Sequence, residues 1–215
     1  MAYSARVTTQ SDEYGRHNVF EDSGYYEAQR PDSEIAEPED RLAYDDAPVS
    51  RWHGGLDFGL LVLRIVLGVA LGAHGLQKVF GLFGGPGIAE FARTLAEQGY
   101  TSQTTVLAWV GGVTEIAGSG LLILGLFTPV AAGALLAVTA NAVYLTYHQG
   151  FFQHGEGGFE YHAVLAGVAL ALLFTGPGRI AIDVHTPWRR KPWPFGIAFL
   201  ILAAGAVAVL ITAFR

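Results

Sequence analysis

The chemistry open to this chain rests on a few polar side chains set in long apolar stretches. Arg64 and Glu115 each lie well inside a run that is otherwise mostly Leu, Val, Ile, Ala and Gly. His74, Gln77 and Lys78 close the first of these runs, Asn141 and His148 lie toward the end of a later one, and His154, Glu156, Glu160 and His162 follow. Charged and amide groups are costly in an apolar medium, so they face other helices or a wet cavity, and each is a candidate for function. Glu115, Arg64 and His74 are the candidates for proton handling, as carboxylate, guanidinium and imidazole. Gln77, Lys78, Asn141, His148, Glu160 and His162 are candidates for binding. Together these groups could bind a metal, ligate a haem or handle protons beside a quinone, but no local spacing fixes a metal site, and lining an interface or a cavity is the plainer role for these histidines.

Five apolar segments must position these groups: Leu56–Val79, Thr104–Leu126, Pro129–Tyr147, Glu160–Thr175 and Pro194–Phe214. A hydrocarbon core of roughly 30 Å needs about 20 helical residues, and repeated runs of this length with so few charges read as membrane spans. The fourth is short and is expected to run a turn further at one end. On the first, Arg64, Gly68, Gly72 and Gly75 form one stripe; on the second, Gly111, Glu115, Gly118 and Gly125 do the same. Small residues let helices approach closely, so both charges point to a helix–helix seam. At about 1.5 Å per residue, Arg64 lies roughly 12 Å and Glu115 roughly 16 Å from the same membrane face, a difference that predicts an Arg64–Glu115 ion pair. Such a pair either takes part in chemistry or only fixes helix register.

Two connections carry signals of their own. Gly84, Gly85, Pro86 and Gly87 break the chain before Ile88–Gln98, where Phe91 and Leu95 are four apart and Gly99 can end a helix. The stretch reads as a short surface helix in the interface, or as an ordinary loop. After the fourth span, Gly176, Pro177 and Gly178 stop the helix, and Arg179 and Asp183 are placed to hold the exit loop by an ion pair. The loop lacks the Lys-Ser/Thr ending of a phosphate loop.

Composition narrows the function. The 215 residues contain no cysteine, which excludes thiol exchange, iron–sulfur clusters and covalently attached haem within this chain. Residues 1–55 hold twelve acidic and five basic groups, net −7, whereas residues 56–215 hold seven and eight, net +1. The acidic balance argues against nucleic acid. The head has no apolar period and is expected to be a disordered tail. No charged and apolar leader stands near Met1, so the first span is expected to act as an uncleaved anchor. Arg41, Arg51, Arg179, Arg189, Arg190 and Lys191 gather on one face against Lys78, Arg93 and Arg215 on the other, which predicts a cytoplasmic N-terminus and a C-terminus outside. Trp188 and Trp193 beside the cations suit a lipid interface.

From about Asp57 to Asp183 the chain resembles the DoxX family of small bacterial integral membrane proteins. The likeness is carried by Arg64 and Gly68, then His74 to Lys78, then the Gly84–Gly87 turn and its short helix. It continues through Glu115 to Gly118, Leu124 to Thr128, Glu160 and Tyr161, and Gly176 to Arg179 with Asp183. The resemblance implies an all-α membrane protein: a four-helix transmembrane bundle at 56–185, with residues 186–215 adding a basic and aromatic linker and a fifth span. Gly68, Gly75, Gly118, Gly178, Arg179 and Asp183 are its structural motif positions. Relatives include a subunit of a thiosulfate:quinone oxidoreductase and a membrane member of an oxidative-stress complex with superoxide dismutase and a sulfurtransferase. The implied role is a plasma-membrane subunit that holds a quinone or anchors such a partner. The acidic tail and the fifth span lie outside the common module and put a simple transfer of partners in question. A membrane scaffold recruiting partners through the tail is the alternative, and small-solute transport ranks last because only Arg64, Glu115 and Asn141 lie deep enough to line a path. A homo-oligomer is compatible with either.

Overall fold

Each long apolar run is a helix. The structure, a computed structural model, describes residues 54–152 and 158–215. The expected tail, Arg41, Arg51, His154 and Glu156 lie outside the described residues. The helices are α1 (Gly54–Phe80), α2 (Gly87–Glu97), α3 (Thr104–Leu124), α4 (Thr128–Thr146), α5 (Glu160–Thr175) and α6 (Pro192–Ala213), with a single helical turn at Pro187–Arg190. Four of them, α1, α3, α6 and α4 with its following turn to Gln149, are long and apolar enough to cross a membrane, and α5 is a shorter apolar helix. The protein is therefore a multi-pass helical membrane protein. The end where α1 begins is called proximal here, and the end where it finishes distal.

Backbone chemistry sets the helix ends. α3 stops at Gly125, whose φ of 67° places it in the left-handed region. Its N–H donates to Leu122 O at 3.1 Å while the N–H of Leu126 reaches Leu121 O at 2.9 Å, a Schellman closure that satisfies two of the free carbonyls. Pro129 then starts α4 where its missing N–H costs nothing. α5 spans sixteen residues and does not gain the extra turn expected of it. At one end Gly176, at φ 75°, leads into Pro177. At the other, the N–H groups of Phe159 and Glu160 are taken by Gly150 O and Phe151 O, at 3.1 and 3.0 Å, which ties the start of α5 to the residues just after the α4 turn.

α1 and α3 pack antiparallel along the glycine stripes. A methyl on Gly68 would sit 2.5 Å from Ile123 Cγ1, and one on Gly75 would sit 2.7 Å from Ile116 Cγ1 and 3.0 Å from Gly112 O. Gly118 meets Leu135 of α4 in the same manner, at 3.1 Å. Beyond this seam, α4 packs on α3, α5 and α6. The core is aliphatic, with Leu67, Leu122, Leu135, Leu172 and Leu173 all buried. Val66, Val69, Val164, Ile201 and Leu202 are largely exposed and face outward as the lipid-contacting surface. The Ile88–Gln98 stretch is a helix, α2, and it buries Ala92 and Leu95 with Tyr100 and Ala108 in a second cluster at the distal end.

Candidate functional site

The seam register decides which charges meet. Gly75 lies against Glu115, so the group one turn further along α1 that reaches the carboxylate is Lys78. Lys78 Nζ donates to Glu115 Oε1 in a close ion pair, with the lysine side chain 25% exposed and the glutamate 2%. The ammonium also lies over the Phe91 ring of α2, 4.9 Å from its centroid. Glu115 Oε2 is buried with no hydrogen-bond partner among the described residues, and so is His162 Nδ1. His74 Nε2 and the Tyr161 hydroxyl are 3.1 Å apart, their rings edge to face. The Tyr100 hydroxyl donates to Asn141 Oδ1 at 2.8 Å.

Two adjoining spaces lie among these groups. One, of about 460 Å³, is walled by α2, α3, α4 and α6 and by His162 at the start of α5. Its lining is mostly aliphatic and aromatic, and its polar members include Lys78, Gln98, Tyr100, Asn141 and His162. The other, of about 90 Å³, lies between His74, Lys78, Glu115, Tyr161 and His162. Lys78 and His162 belong to both. A volume of 460 Å³ is within the ~300–1,000 Å³ of small-molecule sites, and an apolar chamber with a few convergent polar groups is their usual form.

The expected Arg64–Glu115 pair does not form. The two helices are not level at their ends: α1 extends past the close of α3, so Arg64 stands opposite Gly125 while Glu115 stands about 16 Å further along the seam. Arg64 is buried, and its Nη2 donates to Ile180 O of the loop after α5. Its Nε and Nη1 have no hydrogen-bond partner among the described residues. The expected Arg179–Asp183 pair is also replaced. Arg179 turns to Asp57 of α1, with its N–H 2.7 Å from Oδ1 and its Nε 3.8 Å from Oδ2. Asp183 Oδ2 instead accepts from the Thr128 N–H at 3.1 Å and from Trp188 Nε1 at 2.8 Å. Gly178, at φ 76°, leaves room for Asp57 at 3.4 Å. These contacts clasp the proximal ends of α1, α3 and α4.

The remaining candidates separate. Asn141 and His162 face the larger cavity and His74 the smaller. His148 lies in the exposed turn after α4, stacked on Tyr147 at 3.7 Å, and neither His148, Glu160 nor Gln77 lines either space. Gln77 underlies the Gly81–Gly87 turn, where its carbonyl accepts from the Gly81 N–H at 3.0 Å. Among the described residues, no three His, Asp or Glu side chains converge as metal ligands would. Sequence reasoning missed Tyr100, Tyr161 and the cavity wall of α6. The two tyrosines carried a signal, since each is a hydroxyl-bearing aromatic at a helix boundary.

The fold and site define a polytopic helical membrane protein with a buried ion pair beside an apolar cavity. Residues 59–149 match the DoxX family model and form a DoxX-family domain, from α1 to the turn after α4. The chain is 29% identical over 127 residues to a Bacillus subtilis (strain 168) protein named "Putative oxidoreductase CatD", covering 59% of this chain and 86% of that one. No solved structure matches it.

Proposed function

We propose that this DoxX-domain protein is a membrane subunit of a redox system that holds a quinone in the 460 Å³ cavity. One observation carries the reading: a mostly apolar chamber at membrane depth whose few polar groups include an ammonium, an imidazole and an amide. A quinone ring is apolar on its faces and accepts hydrogen bonds at its two carbonyl oxygens. Lys78 and His162 would donate to one oxygen, and the amide N–H of Asn141, whose carbonyl is already engaged by Tyr100, to the other. The quinone would supply two-electron, two-proton redox chemistry, and Glu115, held against Lys78, would keep a carboxylate within the same proton network. A chain without cysteine leaves electron delivery to a partner enzyme. The name of the Bacillus relative fits an association with an oxidoreductase.

We also propose that the proximal end is cytoplasmic, because Arg179, Arg189, Arg190 and Lys191 cluster there. The test of the binding site uses the full chain in lipid nanodiscs with a decyl-tailed benzoquinone. Saturable binding that weakens roughly tenfold or more in Lys78→Met and in Asn141→Leu is the expected result, as for loss of one charged or buried hydrogen bond. Binding that never saturates, or that ignores both substitutions, overturns the reading.

A further inference from the structure

Access to the cavity follows from how closely its helices pack. α4 forms its back wall, and α3 and α6 each pack more closely against α4 than against one another. Between them the wall is made by residues that also face outward: Val110 of α3 is 56% exposed, and Ala206 of α6 is exposed as well. At the distal end the same space is covered. Leu95 of α2 lies over it, the Thr101 N–H is bound to Phe214 O at 2.8 Å, and Arg215 sits 5.1 Å from the Tyr144 ring centroid. These contacts cap much of the distal end, and the wall between α3 and α6 faces outward at Val110 and Ala206.

We infer that the gap between α3 and α6, bordered by Val110 and Ala206, is a lateral portal. Through it a bilayer-dissolved molecule inserts a polar-edged ring while its alkyl tail stays in the gap. The inference rests on the quinone reading for the identity of the ring, but the portal itself rests on helix packing. Two features of the site support a tailed occupant. Lys78, Asn141 and His162, the groups proposed to hold the ring, lie on α1, α4 and α5, whereas Val110 and Ala206 at the mouth are apolar, so an amphiphile would be oriented ring first. Ala206 puts a small side chain at the mouth, and Leu210 one turn along α6 also lines the cavity. α6 lies beyond the residues that match the family model, so this border of the portal is an addition to the matched domain. The helix that completes the chamber then selects which tails enter it.

The test uses the full chain in nanodiscs with two photoreactive probes that carry the same decyl tail with a diazirine at its tip. One bears a benzoquinone ring and the other a dimethoxybenzene ring without quinone carbonyls. Adducts are located by mass spectrometry in the wild type, in Ala206→Trp, in Val110→Trp on the opposite border, and in Gly205→Leu, which faces open space on α6. The expected result is tail adducts concentrated on the facing surfaces of α3 and α6. They should fall by roughly tenfold in either Trp variant and stay unchanged in Gly205→Leu. Adducts from the dimethoxybenzene probe alone would uphold the portal and overturn the quinone reading. Adducts spread over the whole lipid face and indifferent to both Trp variants would overturn the portal, while the saturable binding measured separately would still decide the quinone reading. Absence of specific adducts from both probes would overturn both.

Discussion

Lys78 and Glu115 share one ion pair but not one environment, and their substitutions should differ accordingly. Lys78→Met strands a carboxylate that is 2% exposed, a loss of about 3–5 kcal/mol. Glu115→Leu leaves an ammonium that is 25% exposed and can turn toward water, so the loss should be smaller. The double variant should recover most of the stability, because it leaves no buried charge alone, yet it should not recover quinone binding. Thermal unfolding of the four proteins in one detergent checks the order, and equal losses in both single variants would contradict it. At the proximal end, Asp183→Ala leaves the Thr128 N–H and the Trp188 N–H without an acceptor, and should cost about 2–3 kcal/mol in the same assay. The charges themselves were legible in the sequence; their partners were not. Arg64 ended on a backbone carbonyl, and no pattern of side chains announces a carbonyl.

Helix existence followed from hydropathy, since long apolar runs in this chain have few competing states. Register did not follow. The stripes of Gly68 and Gly75 on α1 and of Glu115 and Gly118 on α3 marked the faces that meet, but not the offset between them. That offset is fixed by which side chain fills each notch, and here Ile123 fills the one at Gly68 and Ile116 the one at Gly75. A levelled-ends estimate therefore misplaced Glu115 by about two helical turns relative to Arg64. Gly75→Ala should force the two helices apart, lower stability by about 1–3 kcal/mol and loosen the Lys78–Glu115 pair. Gly120→Ala, on the same helix as Glu115 but with open space around it, should instead be neutral or stabilising by up to about 1 kcal/mol. Unfolding in a graded SDS series, followed by circular dichroism, separates the two outcomes. The cavity was the least legible feature, because it arises where α2, α3, α4 and α6 fail to fill a space together, and no one segment records that.

For the molecule as a whole, the passages of α1, α3, α4, α5 and α6 put the turn after α1 and the linker before α6 on opposite faces. The natural absence of cysteine makes this simple to read, since any introduced thiol is the one that labels. Phe83→Cys, at a position 74% exposed, should react with an impermeant maleimide from outside the cell, and Arg190→Cys only in inverted vesicles. Reaction of both from one side would overturn the topology, and a clean reversal would overturn only the proposed orientation. The short α5 has a consequence for the surrounding lipid. Its sixteen residues reach about 24 Å, some 6 Å less than a typical hydrocarbon core, while its Val164 and Leu170 side chains are exposed. A hydrocarbon core of ordinary thickness would have to thin on that flank to match α5, a deformation whose cost rises with every ångström of mismatch. A protein shaped in this way is drawn to thinner bilayers, and two copies that shared one dimple would strain the lipid less than two that each made their own.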